Sequence, residues 1–315
     1  MSKFTSLFLC LFLASVVLGG EILVRNGGNR FWTTSTALTY LSDEVLDYKP
    51  DTVILSFGLR DATYTAVMLE PEDYESNYRQ LISRLKGNGI EKIAIMTSNP
   101  VIELKAYTGS YRRFGKLNER IDTLNEIVRK LAKEENLVLV DLNGLVKRNG
   151  GAVESEASFL RNRKNGGGTD GTHLTAKAYQ ALAAEVARVL KPGKRVVCYG
   201  DDAAYGANLP GAGTVRGQNY PSYLWKIWNG QLAGGGRTPT EMRPATTPED
   251  GNLIRNADYK VLRVNVAPKA PAPATLNSLP VGWHFWKKNK DMLERREENG
   301  SYYLRLSGSD RKSVV

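Results

Sequence analysis

The sequence predicts an α/β protein in which a central parallel sheet is covered by helices on both faces. Short, largely apolar runs at 52–57 and 92–97 have the composition of strands buried on both sides. Between them lie segments of helical period, such as Tyr74, Tyr78, Leu81, Ile82 and Leu85. Strand-like and helix-like segments in alternation imply a parallel sheet, because parallel neighbours need a crossover connection. A third observation is the stretch 194–206, an apolar strand running into a glycine-bounded turn and then a helix. Such junctions are where open α/β sheets place their chemistry.

In chain order, residues 21–24 form the first strand candidate and 25–29 a turn cluster. Leu38, Leu41, Val45 and Leu46 share one face of a helix over 33–48, which Pro50 closes. The strand at 52–57 ends in a loop at 58–61. Pro71 opens the next helix, and Gly87 and Gly89 stop it. The strand at 92–97 precedes Asn99 and Pro100. Leu117, Ile121, Leu124, Val128 and Leu131 mark a long helix, followed by a strand at 137–140. A glycine-rich loop over 161–168 leads to a helix at 176–190. Pro192 and Gly193 then turn the chain into the strand at 195–199.

At 315 residues, 42% hydrophobic and 24% charged, the chain is long enough for one α/β domain and an appendage. Residues 1–20 have the basic start, apolar run and small-residue end of a secretory signal peptide, which implies a secreted or periplasmic protein. A membrane anchor is the alternative, but the run is short for a bilayer and no other stretch approaches that length, so no membrane span is expected after signal removal. Cys10 leaves with that segment, and Cys198 is then alone, so no internal disulfide is available. The net charge of +10 is spread over helices and loops without an aromatic-interleaved basic stripe. That excludes a nucleic-acid partner and points instead to acidic glycans or a cell surface.

The domain is expected over 21–230, a linker rich in Gly, Thr and Pro over 231–251, and a partial β segment over 252–315. The last contains strand candidates at 259–266 and 302–306. Trp283, Phe285 and Trp286 there are read either as core or as a sugar-stacking platform.

Asp170 and His173 lie three residues apart at a loop-to-helix junction. A carboxylate held against one imidazole nitrogen fixes the tautomer and leaves the other nitrogen as a base. A helix-capping Asp beside a surface His is the equal alternative for the pair taken alone. Four blocks together resemble the SGNH (GDSL-type) hydrolases, a family of exported esterases and lipases with a flavodoxin-like three-layer α/β/α fold. Asp170-Gly-Thr-His173 is similar to the family's acid–base block, and 54–61 to its Gly-x-Asn-Asp block. Asn26-Gly27 is similar to its second block, and 196–202 to its Gly-Asp-Ser block.

In the family the Gly-Asp-Ser block comes first in sequence, whereas here it comes last. The resemblance therefore implies a circularly permuted domain, with the strand at 195–199 filling the middle of the sheet. It also implies altered chemistry. Asp202 stands at the serine position and Arg60 at the oxyanion-hole asparagine, directly before Asp61. Gly27 is the nearest candidate for the second oxyanion donor, and Gly200 and Asp201 match the first two residues of the Gly-Asp-Ser block. No metal and no cofactor are called for.

Three functions follow from these residues. The first is a carboxylester hydrolase, acting on a small acyl ester or acylated polysaccharide, with Asp170 and His173 active and its nucleophile unrecognised. The second is a non-catalytic protein that binds acyl or glycan ligands in the old cleft. The third is a hydrolase with Asp202 as a carboxylate nucleophile.

Overall fold

The computed structural model of the chain describes residues 20–63, 68–104, 106–107, 116–231, 237–244, 293–298 and 301–306. The chain divides into two compact units, Met1–Thr246 and Thr247–Val315. In the first, five strands form one sheet: β1 (Leu23–Gly28), β2 (Thr52–Ser56), β3 (Lys92–Met96), β4 (Val138–Val140) and β5 (Arg195–Gly200). Their spatial order is β1-β5-β2-β3-β4, and every neighbouring pair is parallel. The α/β expectation, with a parallel sheet flanked by helices, is met.

Alternation along the strands divides the core into two layers. Val53, Leu55, Ile93, Ile95, Val197 and Tyr199 face one side. They pack on α1 (Thr34–Glu44), α3 (Pro71–Gly87) and α4 (Leu117–Glu134) through Leu41, Leu81, Leu85, Leu124 and Val128. Ile54, Ala94, Met96, Val196 and Cys198 face the other side. Their partners are α5 (Leu142–Arg148), α6 (Ala176–Val189) and α8 (Tyr220–Trp228), through Val146, Tyr179, Leu182, Val186 and Leu224. Both faces of every central strand are thus withdrawn from water, which is why these segments read as unbroken apolar runs.

The helix starts follow ordinary capping chemistry. Thr33, Thr175 and Asn219 each accept a hydrogen bond from a backbone N–H of the first turn of α1, α6 and α8. The turn into β5 is fastened to the base of β2. Asp51 accepts from the N–H groups of Lys194 (2.7 Å) and Arg195 (3.1 Å), and Thr52 accepts from that of Gly193 (2.9 Å).

Four local expectations change. The turn cluster at 25–29 is largely strand, because β5 gives it a ladder partner as far as Gly28. The helix over 33–48 ends at Glu44 and resumes as a 3-10 turn, Leu46–Tyr48, which buries Tyr48 before Lys49 turns in the left-handed region at φ 44°. The loop at 58–61 is the start of a short helix, α2 (Leu59–Thr63), whose first N–H groups are satisfied by Asp201. The helix α5 follows β4 unannounced, capped by Asp141, which accepts from Gly144 N–H at 3.2 Å.

In the second unit the described residues form an antiparallel hairpin, β6 (Leu293–Glu298) with β7 (Ser301–Leu306). The latter matches the strand expected at 302–306. The candidate strand at 259–266 and the aromatics Trp283, Phe285 and Trp286 lie outside the described residues.

At Gly200 a Cβ would collide with the hydroxyl and carbonyl of Ser56, across the β5–β2 ladder. At Gly87, in the last turn of α3, a Cβ would meet open space. Gly200→Ala is expected to destabilise the domain by about 1–3 kcal/mol, the usual scale of overpacking, while Gly87→Ala is neutral or stabilising. Urea midpoints of the two variants against wild type check this.

Candidate active site

The site is assembled where the carboxyl ends of β5 and β2 meet. β5 ends at Gly200, and Asp201 N–H donates to the carbonyl of Ser56 at 3.0 Å. The Asp201 carboxylate accepts from Gly58 N–H (3.2 Å) and Leu59 N–H (3.0 Å) with one oxygen and from Ala203 N–H (3.3 Å) with the other. It thereby caps α2 and α7 (Asp202–Tyr205) together. Asp202 opens α7, is 2% exposed, and its carbonyl accepts from the Tyr179 hydroxyl at 3.2 Å.

The second contribution is the loop before α6. Leu160 bridges Leu174 in antiparallel fashion, and His173 O accepts from Arg161 N–H at 2.9 Å. Gly171 O accepts from Ile102 N–H at 2.8 Å, and Thr172 O from the Asn99 amide at 2.9 Å. Within this pinned loop, one oxygen of Asp170 accepts from the backbone N–H of Thr172 (3.1 Å) and of His173 (2.9 Å). The same oxygen lies 2.7 Å from His173 Nδ1. The other oxygen accepts from Asn208 Nδ2 (2.8 Å) and Arg161 Nε (3.2 Å).

His173 Nε2 points at Asp202, 3.8 Å from its Oδ1, beyond hydrogen-bond reach. On the other side, Arg60 Nε pairs with Asp202 Oδ2 at 2.6 Å, the two side chains being 8% and 2% exposed. Four charged groups thus stand in a row: Arg60, Asp202, His173 and Asp170. His173 Nε2 and Asp202 Oδ1 are buried without a hydrogen-bond partner, while Asp202 Oδ2 is buried against the Arg60 guanidinium.

Burial alone would lower the pKa of His173. The hydrogen bond to Asp170 and the facing carboxylate of Asp202 outweigh it and push the imidazole up to about 9. Burial would likewise raise Asp170, but the bond to His173, its charge and the Asn208 amide hold this carboxyl well below the usual carboxylate range. Burial, reinforced by the neighbouring Asp202, pushes Asp201 up to about 7. Burial also pushes Asp61 up to about 6, although Thr34 donates to it from both N–H (2.9 Å) and hydroxyl (2.6 Å).

A cavity of about 440 Å³ opens on this row, lined by Arg60, Tyr107, Arg161, Gly167, Thr169, Asp170, Thr172, His173 and Asn208. Of the sequence candidates, Asp170, His173, Asp202 and Arg60 converge. Four do not line the cavity, the first being Asp202, which is buried against Arg60. Gly27 is in the β1 ladder opposite Tyr199, Asp61 is buried against Thr34, and Asp201 is bound to backbone N–H groups. Arg161, Asn208, Tyr107 and Thr172 are site residues that sequence reasoning passed over. Asn208 sits at φ 63° just after Gly206, and nothing in its spacing from Asp170 announces the contact. Among the described residues, no cluster of His, Cys, Asp or Glu is placed to hold a metal ion.

An imidazole raised from about 6.5 to about 9 binds its proton more tightly in the folded chain. Its contribution to stability is whole below about pH 6.5 and is lost as pH climbs through about 9. Asp61 and Asp201, also raised, lose stability in the same direction but over about pH 4 to 7. The unfolding free energy should therefore fall between about pH 7 and 9 in wild type and stay flat there in His173→Gln. The His173 ring signals in NMR should titrate near 9, and a midpoint near 6.5 would contradict the charged row.

The chain matches the family described as GDSL-like lipase/acylhydrolase over residues 17–181. No curated protein matches it. Among solved structures, it resembles a GDSL-like lipase from Bacteroides thetaiotaomicron at 19% identity, over 50% of this chain and 70% of that one, with a TM-score of 0.40. A hydrolase from the metagenome of Lake Arreo matches at 22% identity, over 51% and 69%, with a TM-score of 0.40. A catalytic mutant of an acetylxylan esterase from Geobacillus stearothermophilus matches at 19%, over 50% and 67%, with a TM-score of 0.40. With its family match covering more than half of the sequence, this chain belongs to the GDSL-like lipase/acylhydrolase family.

Proposed function

We propose that this chain uses the acylhydrolase scaffold to bind an acyl or glycan ligand, and that it does not turn esters over by serine chemistry. The observation that carries this reading is the buried Asp202–Arg60 pair at 2.6 Å, in the seat that faces His173. Serine catalysis needs a hydroxyl that a neutral imidazole can deprotonate. Asp202 offers no such proton, and the two flanking carboxylates keep His173 in its imidazolium form at neutral pH. An oxyanion-hole donor is worth about 10²–10³ in rate, and a guanidinium committed to Asp202 is not aimed at a developing oxyanion. Asp202 as a nucleophile would give an anhydride from an ester, and both of its oxygens are shut away from solvent.

Export belongs to the same proposal. It rests on the signal-peptide pattern of residues 1–20 and places the protein where acylated polysaccharides are found.

Turnover of a chromogenic acetyl ester tests the reading. Wild type should give no rate above the blank, whereas Asp202→Ser combined with Arg60→Asn should gain a rate that disappears when His173→Ala is added. A wild-type rate abolished by His173→Ala would overturn it in favour of an active hydrolase, with Asp202 or another group as nucleophile.

We further propose that the domain is circularly permuted. Counted from β5, the strand order becomes 2-1-3-4-5, that of flavodoxin-like doubly wound sheets. The family match ends at residue 181, before β5 begins. After α8, the Asn229 side chain bonds both the N–H (2.9 Å) and the carbonyl (3.0 Å) of Ile22, where β1 is about to start. A rejoined chain that begins at Lys191, runs through Gln231 and continues from Glu21 to Leu190 should fold cooperatively with the circular dichroism of the native domain. A rejoined chain that stays unfolded would count against permutation.

A further inference from the structure

We infer that the cavity takes a saccharide residue bearing a single carboxylate; this deepens the binding reading above and rests on it. The charges around the cavity do not cancel. Arg60, Arg161 and the imidazolium of His173 stand against the carboxylates of Asp170 and Asp202. One positive charge is left over in a partly buried setting, where a mismatch is screened less than at a free surface. A monoanion balances it, whereas a dianionic phosphate would overshoot beside Asp170.

Beside the lining residues Tyr107 and Arg60 stand further groups of the same sign, Arg163 and Arg30. Arg163 stands over the ring of Tyr107, 5.6 Å from its centroid, and donates its backbone N–H to the Tyr107 hydroxyl at 3.1 Å. Arg30 and Arg60 lie 5.7 Å and 5.3 Å from the ring of Phe31. Guanidinium groups match a carboxylate in geometry as well as in charge.

Further observations point to a ligand of sugar type. Phe31 is 45% exposed at the side of Arg60, an apolar face open to a pyranose ring. The cavity, at about 440 Å³, has room for far more than a bare anion. Thr169, Thr172 and Asn208 bring hydroxyl and amide groups to its wall, of the kind that exchange hydrogen bonds with sugar hydroxyls.

Calorimetric titration of the full chain with the methyl glycoside of galacturonate, its neutral methyl ester and acetate tests the inference. The galacturonate glycoside should bind about tenfold or more tightly than its methyl ester. Arg161→Gln and Arg163→Gln should each weaken it several-fold, with unchanged thermal midpoints as the check on folding. Raising sodium chloride from about 50 to about 500 mM should weaken it as well. Equal binding of acid and ester, or binding of neither, overturns the inference. Acetate binding as tightly as the galacturonate glycoside overturns the saccharide part. Hydrolysis of the methyl ester or of an acetyl ester by wild type is a separate outcome, which marks the failure of the binding reading itself.

Discussion

β5 is hydrogen-bonded along both edges, to β1 on one side and β2 on the other, and it alone joins β1 to the rest of the sheet. Its residues Val196, Val197, Cys198 and Tyr199 are each fully buried, two facing either helical layer. A side chain of this kind contributes about 1.5–3 kcal/mol when withdrawn from water, so β5 draws both hydrophobic layers together. It also delivers Asp201 and Asp202 to the site as it leaves the sheet. Fold and site therefore depend on the same ladder. Synthesis from the amino end completes this ladder only when the last strand of the sheet arrives, which gives the domain contacts of long sequence separation.

The Arg60–Asp202 pair is held by groups that are themselves structural. Asp201 fixes the turn on which Asp202 sits and caps the helix on which Arg60 sits, so one carboxylate sets the spacing of both partners. A buried ion pair gives little net stability, because desolvation offsets most of the attraction, yet removing one partner leaves a buried charge that costs about 3–5 kcal/mol. The imidazolium of His173 shares the compensation of Asp202 from the other side. The row is stable as a set of alternating charges, and each member is costly alone. That property suits a fixed pocket wall and opposes proton transfer, which requires His173 to change charge.

Much of this fold was legible in the sequence because double-sided burial leaves apolar runs and single-sided burial leaves a helical period. The strands at β2, β3 and β5 and the helices α3, α4 and α6 follow from those patterns. β1 was read short because Arg25, Asn26, Gly27 and Gly28 have turn composition, and only pairing with a strand some 170 residues away keeps them extended. α2 and α5 were missed because they begin on tertiary or capping contacts, from Asp201 and Asp141, and not on an apolar period. In the site, Asp170 and His173 could be seen because one loop holds both. Arg161 and Asn208 come from separate segments and meet only in the folded chain. Gly27 looked like an oxyanion donor in the sequence, but it is in the β1 ladder opposite Tyr199, away from the cavity.

Under the proposed reading, the aspartate and the arginine are one change and not two. Aspartate alone in the seat facing His173 would place a second buried carboxylate beside Asp201, which Asp202 already pushes toward neutrality. Arginine alone at position 60 would bury a guanidinium against an uncharged hydroxyl. Either state carries a desolvated charge with too little opposite charge nearby, and together they form the 2.6 Å pair. Once the pair exists, His173 is drawn to its charged form by the same carboxylate, and the cavity acquires its surplus positive charge without any residue added for that purpose. Loss of the hydrolytic proton relay and gain of an anion-binding wall are then two consequences of a single electrostatic exchange.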